Sequence, residues 1–176
     1  MRDTSRDLDE IFSYLHLNSS QQSGRQALAR FVLKYGRRWE AAECDPEFAG
    51  GRPRACYSNS QDMLQYDLRR ETPAGLVYVE GIASASFESA PCPTLHAWLV
   101  DPEGRVVDPT WREAERCTYY GIPFRTRYVL ETIGACGPCP MIDNRKNKWE
   151  LVRNADIAAR AILDWIPATA RAALQP

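Results

Sequence analysis

The sequence predicts an α+β fold, with helices grouped around an antiparallel sheet. Three observations carry that reading. Apolar residues recur at helical spacing near both ends of the chain, and the middle has strand composition. A four-residue turn, Asp101-Pro102-Glu103-Gly104, then links two of the strands into a hairpin.

From the N-terminus, Leu8, Ile11, Phe12 and Leu15 share one face of a first helix. Asn18-Ser19-Ser20 breaks that run and offers caps to a second helix, striped by Ala27, Leu28, Phe31, Val32 and Tyr35. Gly36 ends this helix unless Trp39 and Ala42 continue the stripe. Residues 45–54, rich in Pro and Gly, read as a loop. A helix opens at Cys56, with Tyr57, Leu64 and Leu68 near one face and Ser58 or Asn59 as its cap. Val77 to Phe87 is a strand in which Gly81 marks a bulge or a close backbone approach. Leu95–Val100 and Arg105–Trp111 flank the hairpin turn. Weaker strand signal returns at Arg127–Ile133, and Gly134–Pro140 is a loop. Asn154 caps a last helix carrying Ile157, Ala161, Ile162 and Trp165 as far as Pro167. One domain, 1–176, thus has a helical N-terminal part (1–44), a core (55–133) and a C-terminal helix (148–168).

A chain of 176 residues can bury a core of its own. Its 22 basic and 23 acidic residues leave a net charge of −1, which argues against a nucleic-acid partner. No stretch reaches the ~18–20 apolar residues of a membrane span. The opening MRDTSRDLDE is too charged for a signal peptide, so a cytoplasmic protein without membrane attachment is expected. In that reducing setting the six cysteines are expected as thiols.

The hairpin carries the chemistry. If Asp101 pairs with Arg105 across a three-residue loop, Trp98 lies opposite Asp108 and His96 opposite Thr110. His96 and Asp108 then become diagonal neighbours on one face, with Cα atoms about 7–8 Å apart. A loop one residue shorter would put them on opposite faces. A histidine oriented by a carboxylate lacks only a nucleophile. Cys56 is the best placed, because a helix N-terminus favours a thiolate.

The segment HAWLVDPEGRVVDPTW, residues 96–111, resembles the His-to-Asp segment of transglutaminase-like and related papain-like thiol enzymes. That resemblance implies a papain-like or transglutaminase-like core, a catalytic helix packed on an antiparallel sheet. It also implies a Cys56–His96–Asp108 triad. Tyr57 stands where the family often has tryptophan, and GGRPR upstream of Cys56 offers no amide for an oxyanion. The Cys56 N–H is one oxyanion donor; Tyr57, Asn59 and Gln61 are candidates for the second.

Glu80, an odd charge in an apolar strand, either pairs with an arginine or lines a substrate groove. His16 reads as a surface residue beside the first helical stripe. Cys136-Gly137-Pro138-Cys139 has the form of a redox tetrapeptide but lacks the strand-to-helix setting such a motif uses, so free or locally bridged thiols are the default. A zinc site would add Cys117 or Cys92 to that pair. The function expected is cysteine-dependent acyl transfer on a protein, peptide or small amide, needing no cofactor or metal. A non-catalytic peptide-binding module on the same fold is the alternative, and a zinc-stabilised interaction domain is a second.

Overall fold

Residues 4–20, 25–87 and 90–167 are described by the computed structural model. Helix α1 (Thr4–Ser20) buries Ile11 and Leu15, and α2 (Gln26–Tyr35) buries Leu28, Ala29, Phe31 and Val32. Asn18, Ser19 and Ser20 do not break α1. Their side chains donate to the carbonyls of Tyr14, His16 and Leu17 at 2.7, 2.9 and 2.9 Å, closing its last turn instead of capping α2. His16 is exposed on α1. After Gly36 the chain enters strand β1 (Arg37–Trp39), so Trp39 and Ala42 extend no helical stripe.

Helix α3 (Cys56–Arg69) leads into β2 (Val77–Phe87), β3 (Ala90–Val100), the short β4 (Val106–Val107) and β5 (Thr118–Pro123). The sheet runs β1-β5-β2-β3-β4, every neighbouring pair antiparallel. Its two edges meet, because the Val106 N–H donates to the Glu40 carbonyl at 2.8 Å, and the sheet curls into a half-barrel. Gly81 faces Gly121 across β2 and β5, where a Cβ on Gly81 would collide with the Tyr120 carbonyl. It is a close approach and not a bulge.

Strand alternation sorts the core into two clusters. Tyr78, Ile82, Leu99, Tyr120 and Ile122 pack with α1, α2 and α3, while Trp39, Val79, Trp98, Val100 and Tyr119 pack with Trp165. Each fully buried Leu or Ile in the first cluster contributes roughly 1.5–3 kcal/mol.

Three expectations fail in the C-terminal half. Strand β5 is absent from the sequence reading because all its residues are buried, so no alternation shows, and Gly121 and Pro123 mimic a turn. Arg127–Ile133 is helical, within α4 (Thr126–Cys136). Its β-branched residues suggested a strand, yet Val129, Ile133 and Cys136 follow helical spacing, and Arg127 Nε reaches Glu131 Oε1 at 2.7 Å one turn on. The loop therefore starts at Gly137, whose φ is +71°. The single helix expected over 148–168 is two short ones, α5 (Glu150–Arg153) and α6 (Ala155–Ala161), and residue 168 lies outside the described residues. Asn154 does cap α6, accepting from the N–H groups of Asp156 and Ile157. Beyond it the chain is extended, with Leu163 N–H on the Pro123 carbonyl and Trp165 against Trp39.

Candidate active site

The hairpin sets the site. Leu99 pairs with Val107 and Val100 with Val106, and the Asp101 N–H donates to the Arg105 carbonyl at 3.0 Å, the register of the three-residue loop. Gly104 takes φ +89°, and a Cβ there would stand 2.5 Å from the Trp165 ring. The second strand is shorter than Arg105–Trp111, because Asp108 ends it. Its Oδ1 accepts the Thr110 and Trp111 N–H groups at 2.8 and 3.1 Å in a side-chain-closed turn.

The other oxygen of Asp108 does different work. Oδ2 lies 2.7 Å from His96 Nε2 and accepts the Tyr119 hydroxyl at 3.0 Å. His96 and Asp108 are 3% and 1% exposed, so the pair is dry. Trp111 stacks on the imidazole with ring centroids 4.1 Å apart and planes at 19°, and Trp98 lies parallel at 6.1 Å. Cys56 acts on the same imidazole, adding to the upward pull of Asp108. With Nε2 held by Asp108, Nδ1 is the ring nitrogen left for sulfur. Burial pushes the imidazole down, but the charge and hydrogen bond of Asp108, joined by those of Cys56, overcome it and lift His96 to about 9. The ring is therefore an imidazolium at neutral pH.

Cys56 opens α3, and no side chain caps that helix. Neither Ser58 nor Asn59 serves as the cap. Ser58 donates to the Ala55 carbonyl, and Asn59 works as a clamp. Its Nδ2 reaches the Arg52 carbonyl at 2.8 Å and Thr110 Oγ1 at 3.0 Å, while its Oδ1 accepts the Arg52 N–H. Together with a 2.7 Å bond from Gly51 N–H to the Pro109 carbonyl, this ties the start of α3 to the turn after Asp108. The loop 45–54 thus ties Cys56, at the start of α3, to the Asp108 turn.

The three candidate oxyanion donors separate. Asn59 is spent on the clamp, and Gln61 Nε2 is spent on the Tyr78 hydroxyl and the Cys139 carbonyl. Tyr57 keeps its hydroxyl without a hydrogen-bond partner among the described residues. Burial, with the charges of Glu80 and Cys56, pushes its phenol far upward, so it stays a donor.

Among the described residues Glu80 pairs with no arginine, and it is buried rather than set in a groove. It is 2% exposed and accepts from the Tyr78 hydroxyl, Met141 N–H and Ile142 N–H at 2.6, 2.6 and 2.9 Å. Burial drives it up and these three donors hold it down, leaving it at about 7.

Sequence reasoning missed three residues here. Tyr119 sits on the unrecognised β5, and Trp111 lay inside the motif but carried no geometric signal. Cys44, half-buried, interacts with Asp108, and burial followed by the Asp108 charge pushes its thiol to about 11. It stays protonated at neutral pH.

All six cysteines are free thiols. Cys136 and Cys139 lie together, but Cys117 belongs to the opposite core cluster and Cys92 is exposed. Among the described residues no three His, Cys, Asp or Glu side chains gather as a metal site, and no helix is long and apolar enough to cross a membrane. No family model, curated protein or solved structure matches the chain.

Proposed function

We propose that this protein is a papain-like or transglutaminase-like enzyme performing cysteine-dependent acyl transfer on an amide of a protein, peptide or small molecule. The observation that carries this reading is a buried His96 bonded to Asp108 at 2.7 Å through Nε2, with Cys56 acting on the same imidazole. Cys56 sulfur attacks the amide carbonyl while His96 holds the proton at Nδ1 and hands it to the leaving amine. Water, or a second amine, then gives its proton back to Nδ1 and resolves the thioester. Hydrolysis is the simpler course because water needs no second binding site. The Cys56 N–H at the uncapped helix end and the Tyr57 hydroxyl supply the oxyanion donors. Asp108 orients His96 and stabilises its charge, Tyr119 steadies Asp108, and Trp111 shields the ring from water.

The test needs no substrate. An ordinary thiol, with a pKa near 8.5, is under about 1% ionised at pH ~6. Limiting iodoacetamide at that pH labels Cys56 before the other five cysteines, read by peptide mass spectrometry, and His96→Ala slows that labelling alone. Equal labelling of all six thiols in the folded protein overturns the reading.

A further inference from the structure

The CGPC segment is not used by this chemistry, yet it is built into the same core. Cys136 ends α4, and its sulfur lies 3.0 Å from that of Cys139. Asn144, 1% exposed, aims its Nδ2 at both sulfurs, 3.9 Å from Cys136 and 3.5 Å from Cys139. Lys146 Nζ sits on the Cys136 carbonyl at 2.6 Å. Two thiols in contact, with one buried amide donor between them, are placed for exchange, and burial pushes the Cys139 thiol up to about 12, which leaves Cys136 as the entry thiol.

This site is wired to the catalytic helix. Gln61, five positions after Cys56 on α3, grips the Cys139 backbone from both sides: Nε2 donates to its carbonyl at 2.6 Å and Oε1 accepts its N–H at 3.3 Å. Two residues on, Glu80 holds the Met141 and Ile142 N–H groups. The charges of Glu80 and Asp143 both act on Tyr57 in the first turn of α3.

We propose that Cys136 and Cys139 form a reversible dithiol–disulfide couple that exchanges with low-molecular-weight disulfides and, through Gln61, lowers the reactivity of Cys56 when oxidised. The regulatory half rests on the reading of Cys56 as the nucleophile. Cys136, the more exposed thiol, attacks one sulfur of the small disulfide as a thiolate and releases the first small thiol. Cys139 then gives up its proton and attacks the Cys136 sulfur, releasing the second. One small disulfide is reduced to two thiols, and the protein pair loses two electrons and two protons. Bond formation draws the sulfurs from 3.0 Å to about 2 Å. Cys136 is anchored in α4, so the displacement falls on Cys139 and on the Gln61 side chain that holds it.

The test treats the full chain with oxidised glutathione and then with dithiothreitol. Trypsin releases residues 128–145, which contain Cys136 and Cys139 and no other cysteine. Oxidation removes two hydrogens from that peptide, the reductant restores them, and Cys136→Ser abolishes the change. Iodoacetamide labelling of Cys56 slows at least about fivefold in the oxidised wild type, the low end of coupling between linked sites. Cys136→Ser removes that slowing. Gln61→Glu, which keeps the side chain's size, still forms the disulfide but shows less slowing. A peptide that never loses two hydrogens overturns the couple. A disulfide that forms while Cys56 labelling stays constant overturns the coupling. Cys56 inert in both redox states instead overturns the reading of the active site, with the exchange still judged by the peptide mass alone.

Discussion

Asp108→Asn separates the two jobs of one side chain. The Thr110 and Trp111 N–H groups both point at Oδ1, so the asparagine carbonyl stays there and its NH₂ takes the place of Oδ2. That NH₂ faces His96 Nε2 and forces the ring proton onto Nδ1, the nitrogen that serves Cys56. The imidazole becomes a donor where a base is needed, and it loses the charge that held it ionised. The rise of His96 from 6.5 to about 9 is worth about 3 kcal/mol in favour of the imidazolium. Losing most of it corresponds to roughly 10² in any rate that depends on the charged pair, within the 10–10³ range for a preformed thiolate. The assay is the pH profile of Cys56 alkylation, with circular dichroism to show that the turn and the helices survive. In the wild type Cys56 reacts already at pH ~6, where His96 carries its charge, whereas the variant reacts only as an ordinary thiol does, toward pH ~8.5. An unchanged rate and profile in a folded variant would reduce Asp108 to a turn residue and refute the triad.

Deleting Glu103, whose N–H caps Asp101 Oδ1 in the turn, shortens the hairpin loop and flips strand parity. Cys56 alkylation at pH ~6 then falls to that of an ordinary thiol while helical ellipticity survives. A folded deletion variant with wild-type labelling rejects the register argument. Trp111→Ala removes a ring stacked 4.1 Å from His96 and the cation–π attraction it supplies, ~0.5–2 kcal/mol, so alkylation slows about 2–30-fold while Trp111→Phe stays near wild type. Equal rates in both variants show that the stack is only packing. His96 (about 9 against 6.5) and Glu80 (about 7 against 4.5) both bind protons more tightly in the folded chain. Their contribution to stability is therefore full below their ordinary values; the Glu80 part is lost as pH rises from 4.5 through about 7, and the His96 part from 6.5 through about 9. Urea midpoints should fall across that span, and Glu80→Gln should flatten only the lower half. A midpoint that rises from pH ~5 to ~9 contradicts the sign.

Local chemistry determined by sequence alone includes the α2 stripe, the start of α3 at Cys56, the hairpin register and the Asn154 cap. Each rests on neighbours within a few positions: helical spacing, the Asp-Pro-Glu-Gly turn, and an asparagine preceding two N–H groups it can reach. The His96–Asp108 proximity belongs with them, because strand parity follows from loop length. Tertiary structure decided everything that crosses the sheet. No local rule brings Tyr119 to Asp108, since β5 is buried on both faces and shows no period. Nor does one make Asn59 a clamp between α3 and the Asp108 turn, or send Gln61 to the Cys139 backbone. Glu80 is the sharpest case. Its sequence context suggested an arginine partner or a place on a groove, and folding supplied two backbone N–H groups and a phenol, from up to 62 positions away. A buried carboxylate needs donors, and hydrogen-bond donors are common enough that only the packed chain selects which ones arrive.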